Sequence, residues 1–457
     1  MASSSLANGF LHKPWARLAL MWAVSLIAAP AFADVRYILE VAPGTAGSGL
    51  AAKYGLTLLR SWQSDTHLSY SVSAPQALAA AALGRLKSEP GVRDVEVDAD
   101  LAGSEADTSS RARAKLESLG AWFPFRGTVP FYGARVHSGY VSQPGTDIVR
   151  ADEGQRSFGL GSGIVAVIDT GVDTNHAALR DVLLPGYDFT RNRADTVSEF
   201  NDLDPATASA LMQSTVEILD GERETVQLNP STVAILEQST VEILDGHRLP
   251  SAFGHGTMVA GLIHRIAPGA RIMPLKAFRA DGSAALSDIV RAILYAADHG
   301  ANVISMSFGF ASPSAELQSA ITYAQSRGVL CVASAGNSGK PAANYPASFK
   351  YVIGVGSTNF SDKRSPFSNF GGPARTSAPG EALVTTFPGN NYAGVWGTSF
   401  SAALVSGTLT IFRQNLPREH YGDVMDALEY GARIDQDMGD ARLDVVRSIT
   451  YLLQHRD

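Results

Sequence analysis

Four short strings carry the residues of this chain that could do chemistry. In Gly397-Thr398-Ser399-Phe400-Ser401-Ala402-Ala403-Leu404 a serine precedes a run in which Phe400, Ala403, Leu404, Gly407 and Ile411 recur at helical spacing. Ser399 therefore belongs near the amino end of a buried helix, where unpaired backbone N–H groups favour a developing negative charge. Such a serine is either a cap or a nucleophile. Asp169 follows the apolar run Gly163 to Ile168 and heads Asp169-Thr170-Gly171-Val172-Asp173. It reads as a turn residue, or as an acid whose burial demands a hydrogen-bonding partner. His255 stands between Gly254 and Gly256 at the head of a second helix rich in small residues, and those glycines let other backbone come close. There is no His-Glu-x-x-His pair, and His264 is badly spaced to share a metal with His255 on one helix face, so zinc is not expected. Asn337, in Ala333-Ser334-Ala335-Gly336-Asn337-Ser338-Gly339, is either a turn residue or an amide able to aim an N–H at an oxyanion. Cys331 lies within an apolar run and reads as an inert buried thiol.

The elements that must hold these residues follow from the apolar runs. Gly163 to Ile168, Ile272 to Lys276, Val303 to Ser307, Val329 to Ala333 and Tyr351 to Val355 read as strands buried on both faces. Helical patterns over Ser287 to His299 and Ala315 to Arg327 lie between them. Strand then helix, repeated, predicts an α/β domain over 144–457 with a doubly wound, mostly parallel sheet flanked by helices. Function in such sheets gathers at the carboxyl ends of the strands, which is where Asp169 and Asn337 fall.

Ahead of that domain, residues 34–100 predict a small α+β unit. Strands over Arg36 to Val41, Leu68 to Val72 and Arg93 to Val97 alternate with helices near 49–54 and over Gln76 to Lys87. Residues 101–143 read as a linker and processing region, polar and exposed over Ala102 to Lys115, then aromatic over Ala121 to Tyr132, a part expected to pack on a neighbour. Residues 1–33 read as an export signal: Lys13 and Arg17 precede the apolar run Leu18 to Ala31, and Ala31-Phe32-Ala33 offers a cleavage site before Asp34. The run is short of the roughly 20 apolar residues of a spanning helix, so a secreted or periplasmic mature form that does not span the membrane is expected. A chain of 457 residues, 45% hydrophobic and 18% charged, suits a large globular core. Its net charge of −7 gives no reason for a nucleic-acid partner, and its single cysteine excludes an internal disulfide framework.

One stretch breaks the alternation. Gln213-Ser214-Thr215-Val216-Glu217-Ile218-Leu219-Asp220-Gly221 recurs letter for letter at Gln238 to Gly246, with weaker copies between. Asp220-Gly221 between two β-prone runs is a hairpin signal, so a small β-arm over about 191–252 is predicted. It is either a tolerated surface insertion or an arm for an unknown partner.

Taken together, the strings Asp169-Thr170-Gly171-Val172-Asp173, His255-Gly256-Thr257-Met258-Val259-Ala260-Gly261 and Gly397-Thr398-Ser399-Phe400-Ser401-Ala402 resemble those of the subtilisin-like serine proteases, in the order Asp, His, Ser. The resemblance runs from about Asp147 to Ile449 and implies a secreted endopeptidase acting on polypeptides. Ser399 would be the nucleophile, His255 the base, Asp169 its orienting acid and Asn337 an oxyanion donor. Gly282-Ser283-Ala284 and Ser307-Phe308-Gly309 match the edges that pair with an extended peptide, and Ser334-Ala335-Gly336 and Tyr345-Pro346-Ala347 match the walls of the pocket for the residue before the cut. Those small walls predict an apolar, permissive preference. Phe400, Ala403 and Leu404 replace the family's usual Met, Pro and His, Met258 replaces a second His, and Ala284 replaces a glycine. Residues 34–100 resemble the inhibitory propeptides of these proteases, a ferredoxin-like prodomain that implies a self-processing zymogen inhibited by its own propeptide. No cofactor is required for chemistry. Calcium often stabilises the family, but with Asp202 and Asp204 as sole candidates the metal is left unknown. The competing expectation is a catalytically silent protein, or one with a dedicated partner, that binds through the repeat arm.

Overall fold

The computed structural model describes residues 34–63, 68–75, 77–102, 127–194, 196–213, 232–235, 249–417, 420–434 and 437–455. The proposed export signal, most of the repeat and residues 103–126 lie outside them. In the first unit, β1 (Val35–Val41), β2 (Thr57–Gln63), β3 (Leu68–Ala74) and β4 (Val92–Val97) pair antiparallel in the order β2-β3-β1-β4. Helices Gly47–Lys53 and Ala80–Lys87 cover one face. Alternation along β1 sends Tyr37, Leu39 and Val41 into this unit's own core, whereas Ile38 joins a core cluster of the large domain. β2 escaped the sequence reading because Thr57–Gln63 is an edge strand that is almost wholly exposed and shows no alternation.

β5 (Asp100–Ala102) follows directly, and a hairpin of β6 (Thr128–Phe131) and β7 (Ala134–His137) leads into short helices at Ser138–Val141, Pro144–Ile148 and Ala151–Phe158. Within 101–143, the polar stretch read as exposed linker lies almost wholly outside the described residues, while residues 127–143 are folded. The cause is apolar burial: Phe131, Val136 and Tyr140 pack with Tyr392 and Val384, and the Gln143 side chain donates to the Val384 carbonyl and accepts from its N–H, both at 2.9 Å.

The central sheet uses β8 (Ile164–Asp169), β9 (Tyr187–Asp188), β11 (Arg271–Lys276), β13 (Val303–Met306), β14 (Leu330–Ser334), β15 (Val352–Thr358), β16 (Thr376–Pro379), β19 (Ala432–Arg433) and β20 (Ala441–Arg442). Their order is β19-β20-β16-β15-β14-β13-β8-β11-β9, parallel except for the β19 edge. Burial on both faces explains the continuous apolar runs. Val165 and Val167 of β8 face the helices His255–Ile266 and Thr398–Asn415, while Ala166 and Ile168 face the helices Leu286–Asp298 and Ala315–Ser326. β8 has β11 on one side and β13 on the other, so the winding reverses at the strand that ends in Asp169.

Within the stretch expected as a β-arm, residues 199–213 instead form the turn Glu199–Asp202 and the helix Pro205–Gln213. The one described strand there, β10 (Thr232–Ile235), adds antiparallel to β18 (Asn391–Val395), which also pairs with β17 (Leu383–Phe387). The Asp220-Gly221 hairpin lies outside the described residues.

Three buried histidines gather at the β6–β7 hairpin, of which His137 is the last residue. The rings of His137 and His176 lie 5.8 and 5.4 Å from that of Tyr392, and His264 lies 5.4 Å from Phe131. Burial lowers the pKa of His137 and of His176, and burial aided by the charges of His176 and Arg265 pushes His264 down to about 4. The unfolded chain binds these protons near pH 6.5, so stability present above that value is lost as pH falls from about 6.5 towards 4. His264 alone accounts for a loss on the order of 3 kcal/mol. Melting curves of the Ser399→Ala protein between pH 7 and 4.5 are expected to fall steeply, and His264→Phe to flatten part of that fall. Parallel curves would contradict this.

Candidate active site

The site is assembled by two helix starts pressed against strand ends. Asp169 closes β8 and the helix His255–Ile266 begins after Gly254, whose φ is +88°. A Cβ on Gly256 would lie 2.0 Å from the Gly171 carbonyl oxygen, so only glycine lets the helix seat on the turn after Asp169. His255 Nδ1 lies 2.8 and 3.0 Å from the two carboxylate oxygens of Asp169. With Nδ1–H donating to the carboxylate, Nε2 is the nitrogen with a lone pair. The Thr170 N–H holds Asp169 Oδ1 from behind at 2.7 Å, and the Phe400 ring packs 5.7 Å from the imidazole. Phe400 thus helps wall the imidazole.

Ser399 is the second residue of the helix Thr398–Asn415, which starts after Gly397 and runs unbroken through Ala403 and Leu404. Its Oγ donates to the Ser307 carbonyl at 3.2 Å, and Ser307 Oγ returns a bond to the Ser399 carbonyl at 3.0 Å. The serine and histidine helices meet at Gly407, where a Cβ would lie 2.8 Å from Ile266 Cβ. Asn337 follows β14. Its Oδ1 accepts from both N and Oγ1 of Thr398, each at 2.9 Å, which leaves its amide nitrogen as the end available to an oxyanion.

Asp169, His255, Ser399 and Asn337 line one cleft together with Gly282, Ser307, Phe308, Gly309, Ser334 and Gly336. The other expected substrate contacts are not among the residues lining this cleft. Ser283 and Ala284, in β12 (Ser283–Ala285), pair with Ala102 and Leu101 of β5. Ala335 and Ala347 are fully buried, and Tyr345 exchanges backbone bonds with Phe310 of 2.7 and 2.9 Å, beside a cis peptide to Pro346. The sequence reading passed over Phe278 and Asn344, which do line the cleft. Asn344 donates from Nδ2 to the Ser334 carbonyl at 3.0 Å, and a Cβ on Gly309 would lie 2.0 Å from that nitrogen. Its neighbour Tyr345-Pro346 was the available signal.

Burial pushes the Cys331 thiol up to about 12, which leaves it no nucleophilic role. Asp202 is engaged by Lys276 at 2.7 Å and Arg191 at 2.6 Å, and Asp204 accepts from Ala206 N, Thr207 N and Thr207 Oγ1. Among the described residues no group of three metal-ligating side chains is arranged for an ion.

The model of the subtilase family matches residues 161–440. A thermophilic serine proteinase from Bacillus sp. (strain AK1) is 33% identical over 271 residues, covering 57% of this chain and 52% of that protein. Subtilisin BL from Lederbergia lenta is 38% identical over 173 residues, 36% of this chain and 64% of its own length. Thermitase from Thermoactinomyces vulgaris is 31% identical over 258 residues, 54% of this chain and 74% of its own. The chain thus spans about half to two thirds of the first two relatives.

Proposed function

The chain belongs to the subtilase family, and on that premise we propose that it is a serine endopeptidase made as a self-processing zymogen. The observation that carries the reading is the bond from His255 to Asp169 in the cleft that also holds Ser399 and Asn337. In this reading Ser399 Oγ attacks the scissile carbonyl carbon while His255 Nε2 takes its proton. The imidazolium, steadied by the ionised Asp169, then protonates the leaving amine as the C–N bond breaks. Water repeats the sequence on the acyl-enzyme. Asn337 and the N–H of Ser399 stabilise the oxyanion formed in each half. Purified protein incubated with casein tests this. Peptide release that a serine-directed phosphonylating reagent abolishes is expected; no release, or release indifferent to the reagent, overturns it.

The 34–102 unit supports the zymogen reading. Asp98 accepts from Ser287 N at 2.9 Å and Ser287 Oγ at 2.8 Å, capping the helix Leu286–Asp298. Glu96 accepts from Ser314 Oγ at 2.8 Å and Glu316 N at 3.2 Å, at the start of the helix Ala315–Ser326. Two carboxylates thus dock on two positive helix ends. β5 then takes the free edge of β12, where an extended peptide substrate would add its own strand. A ferredoxin-like prodomain seated this way leads its tail along the substrate track. The maturation cut falls in the linker beyond, and residues 1–33 serve as the export signal. Among the described residues no helix is long and apolar enough to cross a membrane.

Each cap contributes about 1 kcal/mol, so removing both weakens docking by about 2 kcal/mol, roughly thirtyfold. In the full chain, Glu96→Ala with Asp98→Ala is expected to shorten the lag before peptidase activity appears by up to about that factor. An unchanged lag would show that these caps do not hold the inhibitor.

In this reading the pocket for the residue before the cut is less uniformly apolar than its small walls alone imply. Asn344 places an amide beside Phe308 and Ser334, so the side chain before the cut meets a polar group as well as apolar walls.

A further inference from the structure

One buried acid beside the triad has no part in the steps above. Glu199, on the turn Glu199–Asp202, is fully buried. Its Oε1 accepts from Thr170 Oγ1 at 2.5 Å and from Gly256 N at 3.2 Å, and its Oε2 accepts from Thr257 Oγ1. Those donors come from the two segments that carry the reacting pair: Thr170 follows Asp169, and Gly256 and Thr257 follow His255. We propose that Glu199 is a positioning residue for the Asp169–His255 pair, clamping the turn of the aspartate to the first turn of the histidine helix. This rests on the endopeptidase reading of the site.

The clamp reaches the reacting carboxylate through one hydroxyl. Thr170 Oγ1 lies 2.5 Å from Glu199 Oε1, 3.2 Å from Asp169 Oδ1 and 3.0 Å from the Gly256 N–H, but it has a single proton to give. With Glu199 ionised, that proton goes to Glu199. With Glu199 protonated, its O–H donates to Thr170 Oγ1, and the threonine proton turns to Asp169 Oδ1. A carboxylate that accepts this extra bond holds an imidazolium less strongly. The ionised form of Glu199 is therefore the productive one.

The charges around Glu199 set where it titrates. Asp169 faces it from β8, His255 from its helix and Lys276 from β11; Asp202, on its own turn, is already paired with Lys276 and Arg191. Burial, opposed by the threonine bonds and reinforced by Asp169, raises its pKa to about 7. Below that value the clamp takes up a proton of its own, besides the one the base must shed to act, so the acid limb of kcat/KM is expected to carry two protons.

Glu199→Gln keeps the shape and removes the charge. On a chromogenic peptide between pH 5 and 10, it is expected to lower kcat by roughly tenfold to a hundredfold. KM should stay within about twofold, and the acid limb should reduce to one proton and move to lower pH. Wild-type kcat with an unchanged two-proton limb would overturn the proposal. Thr170→Val, which removes only the shared hydroxyl, decides the matter if the first variant does not fold: the same loss of a proton from the limb is expected, and a wild-type profile would overturn it. In the Ser399→Ala background, the titration of the His255 imidazole followed by NMR reads the coupling without turnover. Its midpoint is expected to fall in Glu199→Gln; identical midpoints would overturn the clamp. Wild-type protein that cleaves no peptide would instead defeat the endopeptidase reading, with the NMR comparison still judging the clamp.

Discussion

Ser399→Ala is expected to lower turnover by about 10⁶-fold, a magnitude measured in subtilisin for loss of one triad member and carried over here. The size follows from the interdependence of the site. In the proposed mechanism, once the nucleophile is gone His255 and Asp169 have no proton to move, and only binding and oxyanion stabilisation are left. The fold should not notice the change. Ser399 Oγ makes a 3.2 Å bond to the Ser307 carbonyl, whereas the helix around it is held by Phe400, Leu404 and Leu409, all fully buried. A melting temperature within a few degrees of wild type is therefore expected. On the zymogen reading the variant should also accumulate as uncut precursor, because the cut that frees the prodomain would be made by this same serine. A Ser399→Ala protein that hydrolyses casein at the wild-type rate, or matures normally when expressed alone, would refute both statements.

Most of the site was legible because its parts obey local rules. An aspartate ending an apolar strand, a histidine between two glycines at a helix start and a serine ahead of a small-residue helix each carry their geometry in a few neighbouring residues. The central sheet was legible for a similar reason, since burial on both faces leaves runs such as Ile164–Asp169 with no polar member before the acid. What stayed hidden depends on partners far away in sequence. Glu199 lies in a polar stretch that looks like insertion, and nothing near it announces Thr170, Gly256 and Thr257 as its donors. The aromatic segment before residue 144 was expected to pack on a neighbour, but not on which one, because its apolar partners Val384 and Tyr392 lie more than 200 residues on. β5 has only three residues, and it is a strand because β12 offers an edge. Ala284, which stands where the family has a glycine, pairs with Leu101 there.

Asn337→Asp is expected to lower kcat by about 10²–10³, or about 2.7–4 kcal/mol, the range found for loss of one oxyanion donor in subtilisin. This substitution separates two roles that Asn337→Ala would merge. The asparagine Oδ1 accepts from Thr398 N and Thr398 Oγ1, both at 2.9 Å, and so steadies the start of the helix that carries Ser399. An aspartate can still accept both bonds, but it has no N–H to offer and brings a negative charge to the place where another negative charge must form. The loss should therefore fall on kcat, with KM little changed, because the oxyanion exists only in the transition state and the intermediates flanking it. Thermal stability should remain near wild type for Asn337→Asp and fall for Asn337→Leu, which leaves the two Thr398 donors unmatched in a buried site. A large rise in KM at constant kcat would place Asn337 in substrate binding instead. An activity unchanged by Asn337→Asp would remove it from the oxyanion site and leave the Ser399 N–H as the donor to examine next.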